Sequence, residues 1–361
     1  MAWPDEASSP EMIITGHSTA LPPIRKVEEL GELLSEPSAA LVKGLARLLG
    51  DILVLGVGGK MGPSLARMAK RASEAAGTPR RVIGVARFTD SELESKLQAH
   101  GVETIRADLL DEAQLARLPE APNVIFMAGM KFGSTGQEAL TWAMNTHLPS
   151  LVCKRYPRSR MIVFSTGNIY GLTPVASGGS VETDALNPVG EYAMSCLGRE
   201  RIFEYFSRSA NIPMAFVRLN YASELRYGVL VDLAQRVRAG EPIDLSMGHL
   251  NTIWLADAND MALQALAHVS SPPLLLNVTG PELLSVREVC EQFGKLMGKS
   301  VSFNGKESST ALLNNAQQAF RRFGLPRISA QQLIRWTADW IMRGQPTLSK
   351  PTHFESRSGS F

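Results

Sequence analysis

From residue 51 the chain alternates short, continuous apolar runs with longer stretches in which apolar positions recur every three or four residues. Ile52-Leu53-Val54-Leu55 is the first run; apolar on both faces, it suits a parallel sheet covered by helices on both sides. Glycines follow, then a helical pattern over 63–76 that Gly77 stops. Further strands are predicted at 81–86, 102–107, 124–128, 161–165 and 214–219, with helices at 137–153 and 189–207 among them. This order predicts an α/β fold, a doubly wound parallel sheet of the Rossmann type, over residues 51–220. Beyond Asn220, short helices at 229–239, 257–269 and 286–296 alternate with short strands. They predict a smaller C-terminal α/β lobe over 221–344 that holds substrate, with the helix at 189–207 also bordering the site. Ahead of the first strand, Leu41, Leu45, Leu48 and Leu49 share one face of a helix at 38–49, so residues 1–50 read as an N-terminal extension packed on the main domain. Residues 345–361, rich in Pro, Ser and Thr, read as a mobile tail or one wrapped on the surface.

The formal net charge of +2 gives no field that points to nucleic acid or to an anionic membrane. Lys154, Arg155, Arg158 and Arg160 cluster locally and read as a solvated turn. No apolar stretch reaches the ~18 residues of a membrane span. Residues 1–10 carry Asp5 and Glu6 and lack an apolar core, so no signal peptide is read there. Cys153, Cys196 and Cys290 are widely spaced with no C-x-x-C pair, which argues against a disulfide framework and suits a reducing, cytoplasmic setting. The histidines show no H-x-x-x-H spacing, and no metal site is predicted.

Gly56-Val57-Gly58-Gly59-Lys60-Met61-Gly62 lies directly between a buried strand and a helix. The first glycine makes the tight turn, the middle one lets the backbone approach a pyrophosphate, and the last permits close helix–strand packing. The helix N-terminus then stabilises the phosphate charge. Gly56, Gly59, Lys60, Met61 and Gly62 are therefore read as binding a dinucleotide. A carboxylate at the end of the second strand would hydrogen-bond the ribose 2′-OH and select NAD. Gly84-Val85-Ala86-Arg87-Phe88 offers none before Asp90, whereas Arg87, with Lys60 adding charge, would pair with a 2′-phosphate. NADP is the favoured cofactor and NAD the alternative.

Together these features resemble the extended short-chain dehydrogenase/reductases, also described as NAD-dependent epimerase/dehydratases, over about residues 51–300. The G-x-x-G-x-x-G spacing is that family's. The resemblance implies cofactor contacts at Asp108 and Leu109 after the third strand, at Ala128 and Gly129 in Phe126-Met127-Ala128-Gly129, and at Asn145, a structural Asn on the next helix. It places the catalytic Ser/Thr at Thr166, within Phe164-Ser165-Thr166-Gly167-Asn168-Ile169-Tyr170-Gly171, and the catalytic Tyr at Tyr192, after Asn187-Pro188. Arg218-Leu219-Asn220 and Asn277-Val278-Thr279-Gly280 also fit it. A small-molecule substrate and a homodimer are further implications of the resemblance.

One departure from the family matters more than these matches. The family's Tyr-x-x-x-Lys is here Tyr192-Ala193-Met194-Ser195-Cys196, with Glu200 four residues further on in register. A free tyrosine has a pKa of about 10 and needs help to exchange a proton near neutral pH. The family's lysine lowers that pKa and binds the nicotinamide ribose. A neutral Cys196 does neither well, and a thiolate there would raise the tyrosine. Arg199 falls two helical turns after Tyr192, toward the same side. Two readings stay open. One is an NAD(P)-dependent oxidoreductase or epimerase, with Tyr192 as acid/base and Thr166 orienting the substrate oxygen. The other is a catalytically weak or inactive NAD(P)-binding regulatory protein.

Thr166-Gly167-Asn168 lacks the Thr-Asp-Glu of the family's nucleotide-sugar dehydratases, and Asn251 stands where its nucleotide-sugar members tend to place an arginine. A smaller polar hydroxy/keto compound, sugar-like or sugar-acid-like, is expected instead, with Asn168, Asn220, Arg226 and His249 as candidate contacts. Tyr221, Trp142 and Trp254 read as core packing rather than pocket walls.

Overall fold

Seven parallel strands form one sheet in the computed structural model, which describes residues 21–131 and 135–359. They are β1 (Ile52–Leu55), β2 (Val82–Ala86), β3 (Glu103–Arg106), β4 (Asn123–Phe126), β5 (Arg160–Thr166), β6 (Met214–Leu219) and β7 (Leu274–Val278). Their spatial order is 7-6-5-4-1-2-3. The chain starts at the middle, runs outward to β3, and returns on the other side of β1 at β4. That reversal leaves a crevice beyond the carboxyl ends of β1 and β4, the place where doubly wound sheets bind ligands. Leu55 pairs with both Val85 and Phe126, so the chain leaving β1 runs between those leaving β2 and β4.

Successive strand residues feed opposite cores, as pleating requires. Ile52 and Val54 join one with Ile125, Ile162 and Val217; Leu53 and Leu55 join the other with Phe126, Val163 and Phe203. The first core also takes the N-terminal segment, through helices α1 (Val27–Leu34) and α2 (Ala39–Leu45). These pack on α3 (Gly62–Ala75). Helix α1 is not among the predicted elements, because Gly31 interrupts the pattern of its Leu30 and Leu34. Helix α2 stops short of residue 49, whose side chain is 84% exposed.

After α4 (Gly190–Ala210) and β6, the chain forms α5 (Val229–Ala239) and then α6 (Leu255–Gln264). Here the boundary expected at residue 220 gives way: α6 packs on α3, and β7 pairs with β6 as the last strand of the main sheet. Leu274-Leu275-Leu276 is a strand-like apolar run, but it lies among short lobe elements and carries no local sign of belonging to the main sheet. The lobe that remains centres on α5 and the helices Val286–Met297 and Ala330–Met342, which pack on one another.

Residues 345–359, expected as a mobile tail or a surface wrap, are tied to the body. Leu348 N donates to Arg226 O at 2.9 Å, Arg236 pairs with Glu355 at 2.9 Å, and Phe354 is buried. No helix among the described residues is long and apolar enough to cross a membrane.

Candidate active site at the cofactor cleft

The glycine loop turns sharply out of β1. Gly56 N and Val57 N both donate to Val85 O, at 2.9 and 3.1 Å, and Gly56 adopts φ +87°. A Cβ there would lie 2.6 Å from Ala128 N, and one at Gly62 would lie 2.2 Å from Val57 O. The two glycines thus let the loop touch β4 and let α3 start against the loop, which exposes the first amides of α3 toward the crevice. Gly62→Ala is expected to cost about 1–3 kcal/mol through this overpacking and to weaken nicotinamide-cofactor binding. Thermal unfolding and NADH titration of the variant check both.

The loop lines a cavity of about 440 Å³. Its walls bring together Gly56, Gly59, Lys60, Met61, Gly62, Gly129, Thr166, Tyr192, Asn168 and Asn220. Other sequence candidates lie off this cavity. Arg87 is exposed at the end of β2, while Ala128 is buried where the loop crosses it. Asp108 accepts from Leu110 N at 3.0 Å, and Leu109 is buried behind it. Arg226 pairs with Glu224 at 3.1 Å, and His249 sits in a two-stranded ribbon opposite Ser285.

Thr166 ends β5 and caps the turn Gly167–Tyr170, its hydroxyl accepting from Asn168 N at 3.2 Å. Tyr192 stands in the first turn of α4. Its side chain hydrogen-bonds with Thr166 and with Cys196. Burial pushes the Tyr192 phenol well above its ordinary value and Cys196 adds to the rise; Arg199 and the Thr166 hydrogen bond pull it back. Burial likewise raises the Cys196 thiol, with Arg199 opposing, so it stays neutral.

Arg199 is the buried cation of the cavity floor. Its Nη1 donates to Phe164 O at 2.8 Å, and its Nη2 donates to Asn145 Oδ1. Asn145 in turn accepts from Met130 N and donates to Met130 O, both at 3.1 Å, and donates to Ser195 Oγ at 2.9 Å. It reaches these partners from a π-helical turn, Ala143–His147, where a continuous helix was expected; such turns recur at functional sites. Gly129 lies against the guanidinium: a Cβ there would be 2.2 Å from Nη2. Arg199 thus explains both Asn145 and Gly129.

An NAD(P) molecule fits these residues. Arg199 is among the lining residues, and its Nε lies buried and without a hydrogen-bond partner among the described residues. So does the hydroxyl of Tyr221, whose backbone is held at φ +43°, a strained setting of the kind found at functional sites. Tyr221 packs against the core, as expected, and also lines the cavity; its φ leaves no mark in the sequence. Lys131, Tyr227, Lys350 and Thr352 also line the cavity, and no sequence signal points to them. Their separation along the chain leaves no spacing to read, and only the wrapped tail brings Lys350 and Thr352 near. No group of His, Cys, Asp and Glu among the described residues is placed to hold a metal ion.

A Rossmann sheet with a glycine loop at its switch point defines a dinucleotide-binding protein. The chain matches the model of the NAD dependent epimerase/dehydratase family over residues 52–271, and it belongs to that family of enzymes. No curated protein sequence matches it. Solved structures share its fold. The dTDP-glucose 4,6-dehydratase of Bacillus anthracis aligns with TM-score 0.68 at 16% identity, over 82% of this chain and 97% of its own. The UDP-glucuronic acid 4-epimerase of Bacillus cereus aligns with TM-score 0.67 at 18% identity, over 81% and 99%. The UDP-glucose 4-epimerase of Thermotoga maritima aligns with TM-score 0.65 at 16% identity, over 81% and 99%.

Proposed function

We propose that the protein interconverts an alcohol and a carbonyl on a small polar substrate, as an oxidoreductase or as an epimerase working through a transient ketone. The observation that carries this reading is the hydrogen bond between Thr166 and the Tyr192 hydroxyl at the wall of the cavity that the glycine loop lines. Bound NAD(P) supplies hydride transfer. Tyr192 gives a proton to the substrate oxygen or takes one from it, and Thr166 orients that oxygen. Arg199 is a positioning residue: its charge lowers the tyrosine, the work expected of the absent lysine, and its bonds to Asn145 and Phe164 hold it there. Asn168, Asn220 and Tyr221 complete the substrate wall.

The family relatives named above act on nucleotide sugars, but a smaller substrate suits this cavity better. Asn251 is committed elsewhere, accepting from Asn220 Nδ2 at 2.8 Å and donating to Asn314 O at 2.5 Å. One observation favours the regulatory alternative, the raised Tyr192 phenol beside Cys196. Family membership favours a homodimer, and three free, buried thiols suit the cytoplasm.

For the cofactor we favour NADP, because Arg87 is the exposed cation at the end of β2 and Asp90 is occupied in capping the helix Ser91–Ala99. Titration with NADPH and NADH, followed by nicotinamide fluorescence, tests the reading as a whole: binding of neither would overturn it. Arg87→Gln is expected to weaken NADPH about tenfold and leave NADH unchanged. Equal loss of both would deny Arg87 a role at the 2′-phosphate.

A further inference from the structure

Residues 348–359 touch both sides of the cleft. Leu348 N donates to Arg226 O at 2.9 Å, just ahead of α5. Lys350 and Thr352 then line the cavity together with the glycine loop and Tyr192. Lys350 is exposed and Thr352 is buried, so the chain here is a wall between cavity and solvent. Beyond it, Phe354 enters the core, and Glu355 pairs with Arg236 of α5 at 2.9 Å. Arg357 donates to Ser246 O at 3.1 Å and to Thr310 O at 2.8 Å. Gly359, at φ +75°, ends on the start of α4: a Cβ there would lie 2.1 Å from Val189 O, next to the helix turn that carries Tyr192. The tail is thus a strap from the lobe to the tyrosine helix.

The glycine loop comes to the same place. Lys60 Nζ lies 3.3 Å from the centroid of the Tyr227 ring, two residues before α5. Burial, then repulsion by Lys131 and Lys350, holds Lys60 down at about 7, with Asp232 on α5 opposing. Asp232 is also what fastens the strap: its Oδ2 accepts from Thr352 N at 2.8 Å and from Thr352 Oγ1 at 2.5 Å. On either side of that contact the backbone is bent, with Ser349 at φ +49° and His353 at φ +53°. Such left-handed settings are costly outside glycine, persist only where the surroundings over-determine them, and cluster at ligand clamps and switch regions. Among residues 349–353 only Thr352 is buried, so this stretch hangs on one latch between two strained bends.

We propose that the strap is a cofactor clamp: bound NAD(P) leaves the cleft when residues 349–353 swing out, and the Thr352–Asp232 contact is the latch that sets how often they do. The inference rests on reading the cleft as the NAD(P) site. It deepens that reading, because a cofactor held under a latch suits a reaction that returns it to its starting redox state within one turnover, and this favours the epimerase over the oxidoreductase.

The dissociation rate of NADPH tests it, followed by stopped-flow nicotinamide fluorescence on chasing the full chain with excess NADP+; NADH and NAD+ replace them if NADH binds tighter. Thr352→Val keeps the side-chain shape and removes the hydroxyl donor, and it should speed dissociation about tenfold or more. A chain ending at Thr347 should release the nucleotide faster still, and where circular dichroism shows that it does not fold, Thr352→Val decides alone. The exposed Lys154→Gln should release it at the unaltered rate. In the full chain, hydrogen exchange at the amides of residues 349–353 should slow when NADPH is bound, which a merely structural tail would not show. Unchanged dissociation in Thr352→Val, or exchange at 349–353 that NADPH leaves unaltered, overturns the clamp. So does tighter binding by the shortened chain, because the tail would then block the cleft rather than close over its occupant. Binding of neither nucleotide by any of these chains overturns the cofactor reading and the clamp with it, whereas binding with unchanged dissociation overturns the clamp alone.

Discussion

Tyr192→Phe is expected to abolish nearly all turnover, by about 10²–10⁴-fold in kcat, while leaving NAD(P)H affinity within twofold. The substitution removes one oxygen. The ring remains packed in the first turn of α4, and the glycine loop is untouched. What is lost is the phenolic hydroxyl that hydrogen-bonds with Thr166 at the cavity lining and is able to exchange a proton with a substrate oxygen. The direction of its pKa adds a second signature. Because burial raises the phenol, it stays protonated through neutral pH, ready to donate. Carbonyl reduction should therefore be nearly flat between pH 6 and 8. Alcohol oxidation, which needs the phenolate as base, should rise with pH, about tenfold per unit while pH stays below the pKa. Initial rates in both directions across that range provide the check. Turnover that survives in the variant would remove Tyr192 from the chemistry and leave the regulatory reading in front.

Elements that depend on local pattern are legible in the sequence alone. The buried β1 run, the loop glycines and α3 follow one another in the order a phosphate-binding turn demands. Family-like residues are legible too, but several serve a structural end. Arg218 pairs with Glu200 at 2.8 Å, Glu200 accepts from Ser165 at 2.6 Å, and Arg218 donates to Tyr170, whose hydroxyl donates to Asn277 at 2.8 Å. This buried network fastens β5, β6, β7 and α4 behind Thr166. A motif search sees such residues as part of a site, whereas the structure shows them holding its back wall. What escapes the sequence is long-range. Lys350 lies far along the chain from Lys60, and no periodicity links a tail to a loop. The lone glycine Gly129 gives no hint of the guanidinium that presses on it.

Arg199 carries the second large expectation. Replacing it with Met should slow alcohol oxidation about tenfold or more at fixed pH near 8 and move the rising limb of the pH profile up by about one unit or more, since removing a nearby positive charge raises the tyrosine. The same change leaves Phe164 O without the guanidinium and Asn145 Oδ1 with only Met130 N, losing one or two charge-assisted hydrogen bonds, so a lower Tm is also expected. Stability loss alone does not shift a pH profile, and this separates the two effects. Arg199→Lys sharpens the test, because it keeps the charge while giving up the forked geometry that reaches both oxygens. If charge is what Arg199 supplies, the lysine variant should recover most of the pH profile and little of the Tm. If Arg199 only props up the Gly129–Lys131 loop through Asn145, both variants should lose Tm, and neither should move the pH limb. The family's lysine stands one helical turn from its tyrosine, where this chain has a thiol. A cation two turns away that does the same work would show that the chemistry constrains where the charge arrives, not the residue from which it is sent.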